Sequence, residues 1–415
     1  MPEDTADAVV VTGDSVTTFE PATAIAPPSS AIFAVALAGV GAFLNLYVTQ
    51  PVLPLLEQLF HASKAAVGMT VSAATLGVAF SAPLCGVLAE RLGRRRVITT
   101  SMLILSVPTL LAATAPSLPL LVFWRLLQGA IMPGIFGVTI AFVAEEWPVE
   151  QMARVMSIYV SGTVFGGFLS RFLGGLAATH TIFGIRPSWR NGFVLIGALD
   201  LLFGVLIAQW LPPDRAGAHA ASTSAIRGML RHLRNPQLVA TCVVGFNILF
   251  SLVATFTYIT FHLAAAPYSM TAAHLSWLFA VYLVGLVVTP IGGVFIARFG
   301  SRIALMTAVA ASMTGVLLTL TSPLAVIVVG LILCSSGVFV CQAASTSYIH
   351  RAAPPGGRSS AAGLYVASYY IGGSVAGVVP GWLWRFGGWT ACVILIVVVQ
   401  AATITIAGMT WRDAR

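Results

Sequence analysis

Two stretches of the chain decide its fold. Residues 158–175 read IYVSGTVFGGFLSRFLGG, and residues 364–381 read LYVASYYIGGSVAGVVPG, at an offset of about 206 residues. The shared positions are Tyr159, Val160, Gly166, Gly167 and Gly175 in the first stretch and Tyr365, Val366, Gly372, Gly373 and Gly381 in the second. Chance similarity between apolar segments does not align tyrosines and glycines together, so the match predicts an internal duplication.

The composition around these stretches is that of a membrane protein. Of 415 residues, 58% are apolar and only 8% are charged, whereas a soluble domain carries roughly a quarter charged residues. The chain is therefore too apolar to be a soluble or a disordered protein. Its apolar runs are long and unbroken, unlike the short alternating strands of a membrane β-barrel. We predict an all-α, polytopic membrane protein.

Twelve apolar runs are long enough to span a bilayer, which needs about 20 residues. They lie at 31–56, 68–89, 97–115, 118–143, 152–177, 191–211, 238–262, 275–297, 303–321, 324–347, 360–384 and 387–409. Residues 1–30 are acidic and proline-rich, which predicts a disordered cytoplasmic tail. We expect two pseudo-symmetric six-helix bundles, 31–213 and 238–410, joined by a cytoplasmic linker at 214–237. Six spans per half give a parallel repeat about an axis along the membrane normal.

The basic residues predict the orientation of the chain. With the N-terminus inside, 15 of the 21 basic residues fall in inner segments and 4 in outer ones. Such a bias places both termini in the cytoplasm of a multi-pass protein of the cell inner membrane. Because the bases lie in loops between apolar runs, the net charge of +8 does not indicate nucleic-acid binding. The five cysteines all fall in apolar runs, and we expect neither a disulfide nor a metal site.

A short basic motif follows the second predicted span. Residues 86–96 read GVLAERLGRRR, and residues 293–302, GVFIARFGSR, form a degenerate second copy without the acid. These stretches resemble the cytoplasmic signature of the major facilitator superfamily, with Glu90 where Asp is usual. The resemblance covers nearly the whole chain. It assigns a gating role to Gly86, Glu90, Arg91, Gly93, Arg94, Arg95, Gly293, Arg298, Gly300 and Arg302.

The resemblance implies how this motif works. It latches the outward-facing state by contacting the start of helix 11, where we expect Glu90 to lie near Ser359 and Ser360. Within the motif, Gly86 permits close helix contact and Gly93 permits the turn. Glu90 can pair with Arg94 one helical turn further on.

Two further stretches resemble the same family. Residues 124–134, WRLLQGAIMPG, match its helix 4 motif. In helix 5, Ser170 and Arg171 replace the Gly-Pro pair of its antiporter motif, which weakens an antiporter assignment. The sequence Gly166-Gly167-x3-Arg171 in helix 5, together with YVTQPVLP at residues 47–54, is most similar to the YnfM-type, acriflavine-sensitivity branch. That resemblance implies a proton-linked exporter of drug-like compounds.

Three ionisable residues, Arg125, Arg171 and Asp200, lie deep within predicted spans. Each costs about 2.5–3.5 kcal/mol at a helix centre, so such residues are functional candidates. All three lie roughly 10–14 Å below the outer surface. Arg125 has no matching buried acid, and we expect it to face the central cavity and contact the substrate. Asp200, the only buried acid, is the side-chain candidate for carrying a proton.

Arg171 has two interpretations that the sequence leaves open. It binds substrate, or it forms a structural pair with Asp200, and we expect the two residues to lie near each other on adjacent helices. A simpler interpretation of both Arg125 and Arg171 is that the side chain snorkels to the outer membrane interface. Further substrate or coupling candidates are Asn45, Gln50, Gln128, Asn247, Tyr365 and Tyr369. Their simpler role is interhelical hydrogen bonding, worth about 0.6 kcal/mol each.

These features favour a secondary transporter that works by alternating access. No Walker motif is present, so ATP is not the energy source, and we expect no cofactor. The alternative to drug export is exchange or import of an organic anion by the buried arginines. A membrane enzyme or a non-transporting sensor is disfavoured, because the histidines do not cluster and no signalling domain is appended. We expect the chain to act as a monomer whose partners are a small-molecule substrate, protons and the lipid bilayer, and not a nucleic acid.

Overall fold

The chain folds into helices joined by short turns. The computed structural model describes residues 27–181, 184–214, 232–353 and 358–411. Most of the predicted tail and linker lies outside the described residues. The helices are Ser29–Leu44, Leu53–Leu59, Lys64–Leu92, Arg94–Ala113, Leu118–Ile131, Pro133–Glu146, Val149–Thr179, Trp189–Trp210, Pro236–Ala264, Ala272–Leu278, Gly285–Phe299, Ser301–Leu318, Leu324–Ala352, Arg358–Ala376 and Val379–Thr410, with 3₁₀ turns at Gln50–Val52 and Phe279–Val284.

These helices form twelve spans, as predicted. Among the described residues, ten helical segments are long and apolar enough to cross a membrane. Spans 1 and 11 complete the set, each built from two helical pieces: 29–44 with 53–59, and 358–376 with 379–386. The backbone leaves helical geometry at Gly388 (φ +58°), and this break separates span 11 from span 12. The boundary predicted between 384 and 387 is thus confirmed.

Prolines mark the places where spans are interrupted. Pro51 lies in the 3₁₀ turn of span 1, and Pro133 is the first residue of the second piece of span 4. Proline fixes φ and has no N–H, so it is favoured in the first turn of a helix, where the N–H has no helical partner. In span 1 the interruption at residues 45–52 leaves backbone carbonyls without the regular helical pattern, which shapes the site described below.

The duplication read from the sequence is visible in the packing. Span 1 packs on span 5 as span 7 packs on span 11, and span 3 packs on span 6 as span 9 packs on span 12. A Cβ added at Gly166 would lie 2.2 Å from the Val40 carbonyl oxygen, and one at Gly372 would lie 2.1 Å from that of Phe246. Gly166 and Val40 are separated by the same number of residues as Gly372 and Phe246. The matching glycines therefore permit the same close helix crossing in each half.

The two halves meet at one end of the bundle. We call this the base-poor end; it carries the turns at 60–63 and 265–271, and the opposite, base-rich end carries the turn at Gly93. Near the base-poor end, Ser72 donates a hydrogen bond to the Ser374 carbonyl (2.5 Å), joining span 2 to span 11. Towards the base-rich end, a Cβ added at Gly86 would meet no atom within 4 Å. The close helix contact expected at Gly86 is absent because the halves pack at the other end.

Candidate functional site

Arg125 is buried inside the N-terminal half and does not face a cavity between the halves. Its side chain is fully buried, and its Nη1 and Nη2 donate to the carbonyls of Asn45 (2.6 Å) and Leu46 (2.5 Å). These carbonyls directly follow the last residue of the helix Ser29–Leu44. Nε donates to the Thr70 carbonyl (2.9 Å), and Nη1 also donates to Oε1 of Gln128 (2.6 Å). The expectation of a cavity-facing Arg125 is wrong in this structure, because the interrupted span 1 takes up its donors. Its contact with substrate stays a prediction.

Asp200 joins the same buried network through Asn45. The Asn45 amide donates to both carboxylate oxygens of Asp200, at 3.0 and 2.9 Å. The Asn45 side-chain oxygen accepts from the Thr109 hydroxyl (2.7 Å), which in turn accepts from the Gln128 amide (2.9 Å). A continuous chain of buried hydrogen bonds therefore links Asp200 to Arg125, from span 6 through spans 1 and 3 to span 4.

Asp200 and Arg171 do not form the expected pair. The Arg171 guanidinium donates from Nε to Gln50 Oε1 (2.6 Å) and from Nη1 to the Gly167 carbonyl (2.5 Å), while Asp200 is held by Asn45. Arg171 points to the other half of the protein, because Gln50 donates across the interface to the Thr257 hydroxyl of span 7 (3.0 Å). Equal depth along the spans did not bring the two charges together.

The surroundings of Arg171 are aromatic. The ring centroids of Tyr47, Tyr282 and Phe279 lie 4.2, 4.3 and 5.0 Å from its Cζ. Tyr47 belongs to the interrupted part of span 1, and the other two belong to the 3₁₀ turn of span 8. The two buried arginines thus have different environments: Arg125 lies among carbonyls of its own half, and Arg171 lies among rings contributed by both halves.

Span 11 adds a row of tyrosines to this interface. The rings of Tyr365 and Tyr369 are 5.9 Å apart, and those of Tyr369 and Tyr370 are 5.5 Å apart. Tyr370 reaches the other half, 5.9 Å from the ring of Phe136 in span 4. The Tyr369 hydroxyl donates to Gln342 (3.0 Å). Tyr369 also lies in the neighbourhood of Tyr47 and Tyr282, so the tyrosine row adjoins the Arg171 cage.

Asn247 does not line the site around Arg171 between the halves. It lines a cavity of about 10 Å³ inside the C-terminal half, together with Ser251, Ser312 and Gln400. Gln400 occupies the place in span 12 that Asp200 occupies in span 6. Each lies eleven residues after a Trp: Trp189, the first residue of its helix, or Trp389, the first residue after the break at Gly388. The Gln400 amide donates to Ser312 (2.9 Å). The C-terminal half thus keeps a polar network at this position, with an uncharged amide in place of the acid.

The basic motif shows one confirmed expectation and one error. Gly93 has φ +90° and its counterpart Gly300 has φ +84°, which only glycine adopts without strain. The expected Glu90–Arg94 pair is replaced by an ion pair between Arg94 and Glu145 at the end of span 4. The Glu90 latch stays a prediction, because it concerns a conformation in which the halves meet at the base-rich end.

Other members of the motif tie it to the end of span 6. The Asp214 carboxylate accepts from the Arg95 backbone N–H (2.9 Å), and the Arg95 side chain donates to the Ala208 carbonyl (2.7 Å). In the second copy, Arg302 donates to the Gly408 carbonyl in the same manner (2.5 Å). Within the part of the chain that the structure describes, no group of His, Cys, Asp and Glu is arranged to hold a metal ion.

Sequence reasoning missed Tyr47, Thr109 and Gln400. Tyr47 could have been noticed because it lies shortly before Pro51, within the interruption of span 1. Gln400 could have been found by aligning span 6 with span 12 on their initial tryptophans, at an offset of 200 residues. Thr109 carries no signal in the sequence, since hydroxyl side chains are common in membrane helices as local partners of backbone carbonyls.

Comparison with known proteins agrees with this architecture. The family model described as Major Facilitator Superfamily matches residues 35–272 and 255–414. The inner membrane transport protein YnfM of Escherichia coli is 33% identical over 370 residues, covering 87% of this chain and 86% of YnfM. The uncharacterized MFS-type transporter YybF of Bacillus subtilis is 30% identical over 385 residues, covering 92% and 94%.

Solved transporters share the fold. A bacterial homolog of the human lysosomal transporter Spinster, in an inward-facing and occupied conformation, superposes with a TM-score of 0.74 at 15% identity, covering 92% of this chain and 98% of that one. The nucleoside transporter NupG gives a TM-score of 0.75 at 12% identity, covering 92% and 100%. Matches of such low identity establish the fold alone. Family model, relatives and fold together show that this multi-pass membrane protein belongs to the major facilitator superfamily of secondary transporters and is not an enzyme.

Proposed function

We propose that this chain is a proton-coupled secondary transporter that exports drug-like organic compounds by alternating access of its two halves. The observation that supports proton coupling is the hydrogen-bond partner of Asp200. A carboxylate held by an arginine keeps its charge throughout a cycle, but the partner of Asp200 is the neutral amide of Asn45. Asp200 is therefore free to take up and release a proton when the network opens.

The network also offers a route for coupling. Asn45 connects Asp200 to span 1, and Gln50, five residues further along the same span, bonds both Arg171 and Thr257. A change at Asp200 that moves the interrupted part of span 1 would therefore reach the contact between the halves. A two-state element that two sites bias in this way is the physical requirement for coupling.

The distribution of basic residues supports an orientation with the base-rich end and both termini in the cytoplasm. In that orientation the halves are closed towards the outside in this structure. Separation of the halves at the base-rich end would then admit substrate from the cytoplasm, as an exporter needs when it takes up its substrate.

A second candidate, organic-anion exchange, is favoured by one observation. Arg171 lies at the interface of the halves without an acidic partner. A cationic dye is repelled by such a site and an anion is attracted to it. The two candidates agree if the drug-like substrate is itself an anion.

The test uses purified protein in proteoliposomes with an imposed pH gradient. Acriflavine serves as the cationic probe and 2-naphthoate as the anionic one, and we expect gradient-driven accumulation of the transported probe. Asp200→Asn should abolish this accumulation while counterflow exchange continues. If the Asn variant still accumulates the probe against its gradient, Asp200 is structural and the coupling residue lies elsewhere. The exposed Arg186, replaced by Gln, is the matched control and should transport normally.

A further inference from the structure

One nitrogen of the Arg171 guanidinium has no hydrogen-bond partner. Three rings, from Tyr47, Tyr282 and Phe279, lie 4.2–5.0 Å from the guanidinium carbon. Two donors are occupied: Nε by the Gln50 side chain and Nη1 by the Gly167 carbonyl. Nη2 has no hydrogen-bond partner. A ligand that reaches Nη2 when the halves separate can therefore add a hydrogen bond to Arg171 without displacing Gln50 or Gly167.

A second polar group lies beside this nitrogen. The hydroxyl of Tyr282 is close enough to the Arg171 guanidinium to interact with it, but neither Nη2 nor the hydroxyl has a partner of normal hydrogen-bond geometry. Both side chains are more than nine-tenths buried, with 1% of Arg171 and 6% of Tyr282 exposed. Buried donors without acceptors cost about 1–3 kcal/mol each, and more when charged. A purely structural arginine satisfies its donors internally, as Arg125 does, so the unused donors of this pair indicate an absent acceptor.

The charge of the site specifies what kind of acceptor fits. The carboxylate of Asp200 is taken by Asn45, and the described ion pairs, Lys64–Glu57 and Arg94–Glu145, lie at the ends of the spans. The rings around Arg171 stabilise its cation by cation–π interaction, but they do not neutralise it. A buried cation in this position favours a ligand that carries a negative charge.

The surrounding surface specifies the body of the ligand. Tyr369 and Tyr370 of span 11 and Phe136 of span 4 form a row of rings between the halves, and Tyr365 extends it with a hydroxyl that has no hydrogen-bond partner. Aromatic rings pack favourably on one another in offset or edge-to-face geometry. The site therefore combines a cationic donor edge with an aromatic wall.

We propose that this site binds planar aromatic carboxylates, with one carboxylate oxygen on Arg171 Nη2 and the Tyr282 hydroxyl and with the ring system along the tyrosines of span 11. This inference rests on the proposed function, because it names the substrate class of the same transporter. It assigns substrate recognition to Arg171 and leaves Arg125 and Asp200 to the coupling network. Gln50 acts as a positioning residue, since it orients the guanidinium from the other side.

The test is equilibrium binding to the purified full-length protein, without any gradient. Three probes share one ring system and differ in charge: 2-naphthoate, the neutral 2-naphthamide and the cationic 2-naphthylmethylammonium. Isothermal titration calorimetry and ligand-induced thermal stabilisation should show binding of 2-naphthoate, with the amide roughly tenfold weaker or more and no binding of the cation. Equal binding of the three probes, or failure of 2-naphthoate to bind the wild type, would overturn the proposal.

Variants identify the residues. Arg171→Gln should weaken 2-naphthoate binding roughly 30-fold or more, as expected when one partner of a buried charged hydrogen bond is removed. Tyr282→Phe keeps the ring, removes the hydroxyl and should weaken binding roughly tenfold. If Arg171→Gln does not fold, the Tyr282→Phe variant carries the test. Unchanged affinity in the folded variants contradicts the site, and Arg186→Gln is the control that should bind normally.

The two proposals fail in different ways. In one outcome the wild type binds 2-naphthoate and Asp200→Asn still accumulates substrate. This outcome would refute proton coupling through Asp200 and leave the carboxylate site intact. Loss of gradient-driven transport in Asp200→Asn, with no binding of 2-naphthoate to the wild type, would refute the carboxylate site and leave the coupling residue intact.

Discussion

The two buried arginines should respond differently to the same substitution. Replacing each by Met keeps an unbranched, apolar side chain of similar length and removes the guanidinium. Both arginines are almost completely buried, at 0% and 1% exposure, so relief of the charge-burial penalty is similar in the two variants and largely cancels when they are compared. What remains is the number of acceptors that each variant leaves without a donor.

In Arg125→Met these acceptors are the Asn45 carbonyl, the Leu46 carbonyl and Gln128 Oε1. The Thr70 carbonyl also loses a donor, but it lies within the helix Lys64–Leu92 and shares in its backbone hydrogen bonding. In Arg171→Met the acceptor is Gln50 Oε1, because the Gly167 carbonyl lies within a continuous helix and shares in its backbone hydrogen bonding. A buried acceptor without a donor costs about 1–3 kcal/mol. Arg125→Met should therefore be less stable than Arg171→Met by about 2–6 kcal/mol.

The assay is denaturant unfolding in detergent, followed by tryptophan fluorescence, with transport measured on the same preparations. We expect Arg125→Met to lose most of its folded protein and Arg171→Met to remain folded but lose substrate binding. Equal stability of the two variants, or a less stable Arg171→Met, would refute the assignment of Arg125 to structure and Arg171 to the site.

Two further outcomes follow from the packing, and a third follows from the predicted Glu90 latch. Gly372→Val should prevent folding of the C-terminal half, because even a Cβ would lie 2.1 Å from the Phe246 carbonyl oxygen; normal yield in the membrane would contradict the close crossing. Lys64 stacks on rings of the other half at 5.2 and 5.4 Å, so Lys64→Gln should shift the protein towards opening at the base-poor end by about 0.5–2 kcal/mol, measured by spin-label distances across that end. Glu90→Gln should shift the population towards the inward-facing state, because it removes a carboxylate from the positive end of helix 11; unchanged cysteine accessibility from each side would count against the latch.

The sequence alone determined the class of protein and the layout of its helices. Long apolar runs with few charges leave a helical bundle as the available solution in a bilayer, because backbone groups there must be satisfied within each segment. The duplicated Tyr and Gly pattern predicted the repeat, and Gly166 and Gly372 make the same close contact in both halves. The turn at Gly93 was likewise predicted, since it depends on local backbone chemistry.

The partners of the buried charges were decided by tertiary structure alone. A rise of 1.5 Å per residue gives the depth of a side chain from the sequence, and it placed Arg125, Arg171 and Asp200 at one level. Depth does not give direction, because the rotation of each helix about its axis is fixed by packing against its neighbours. The interruption of span 1 then exposed the carbonyls of Asn45 and Leu46 to Arg125 and left Arg171 facing the aromatic interface between the halves.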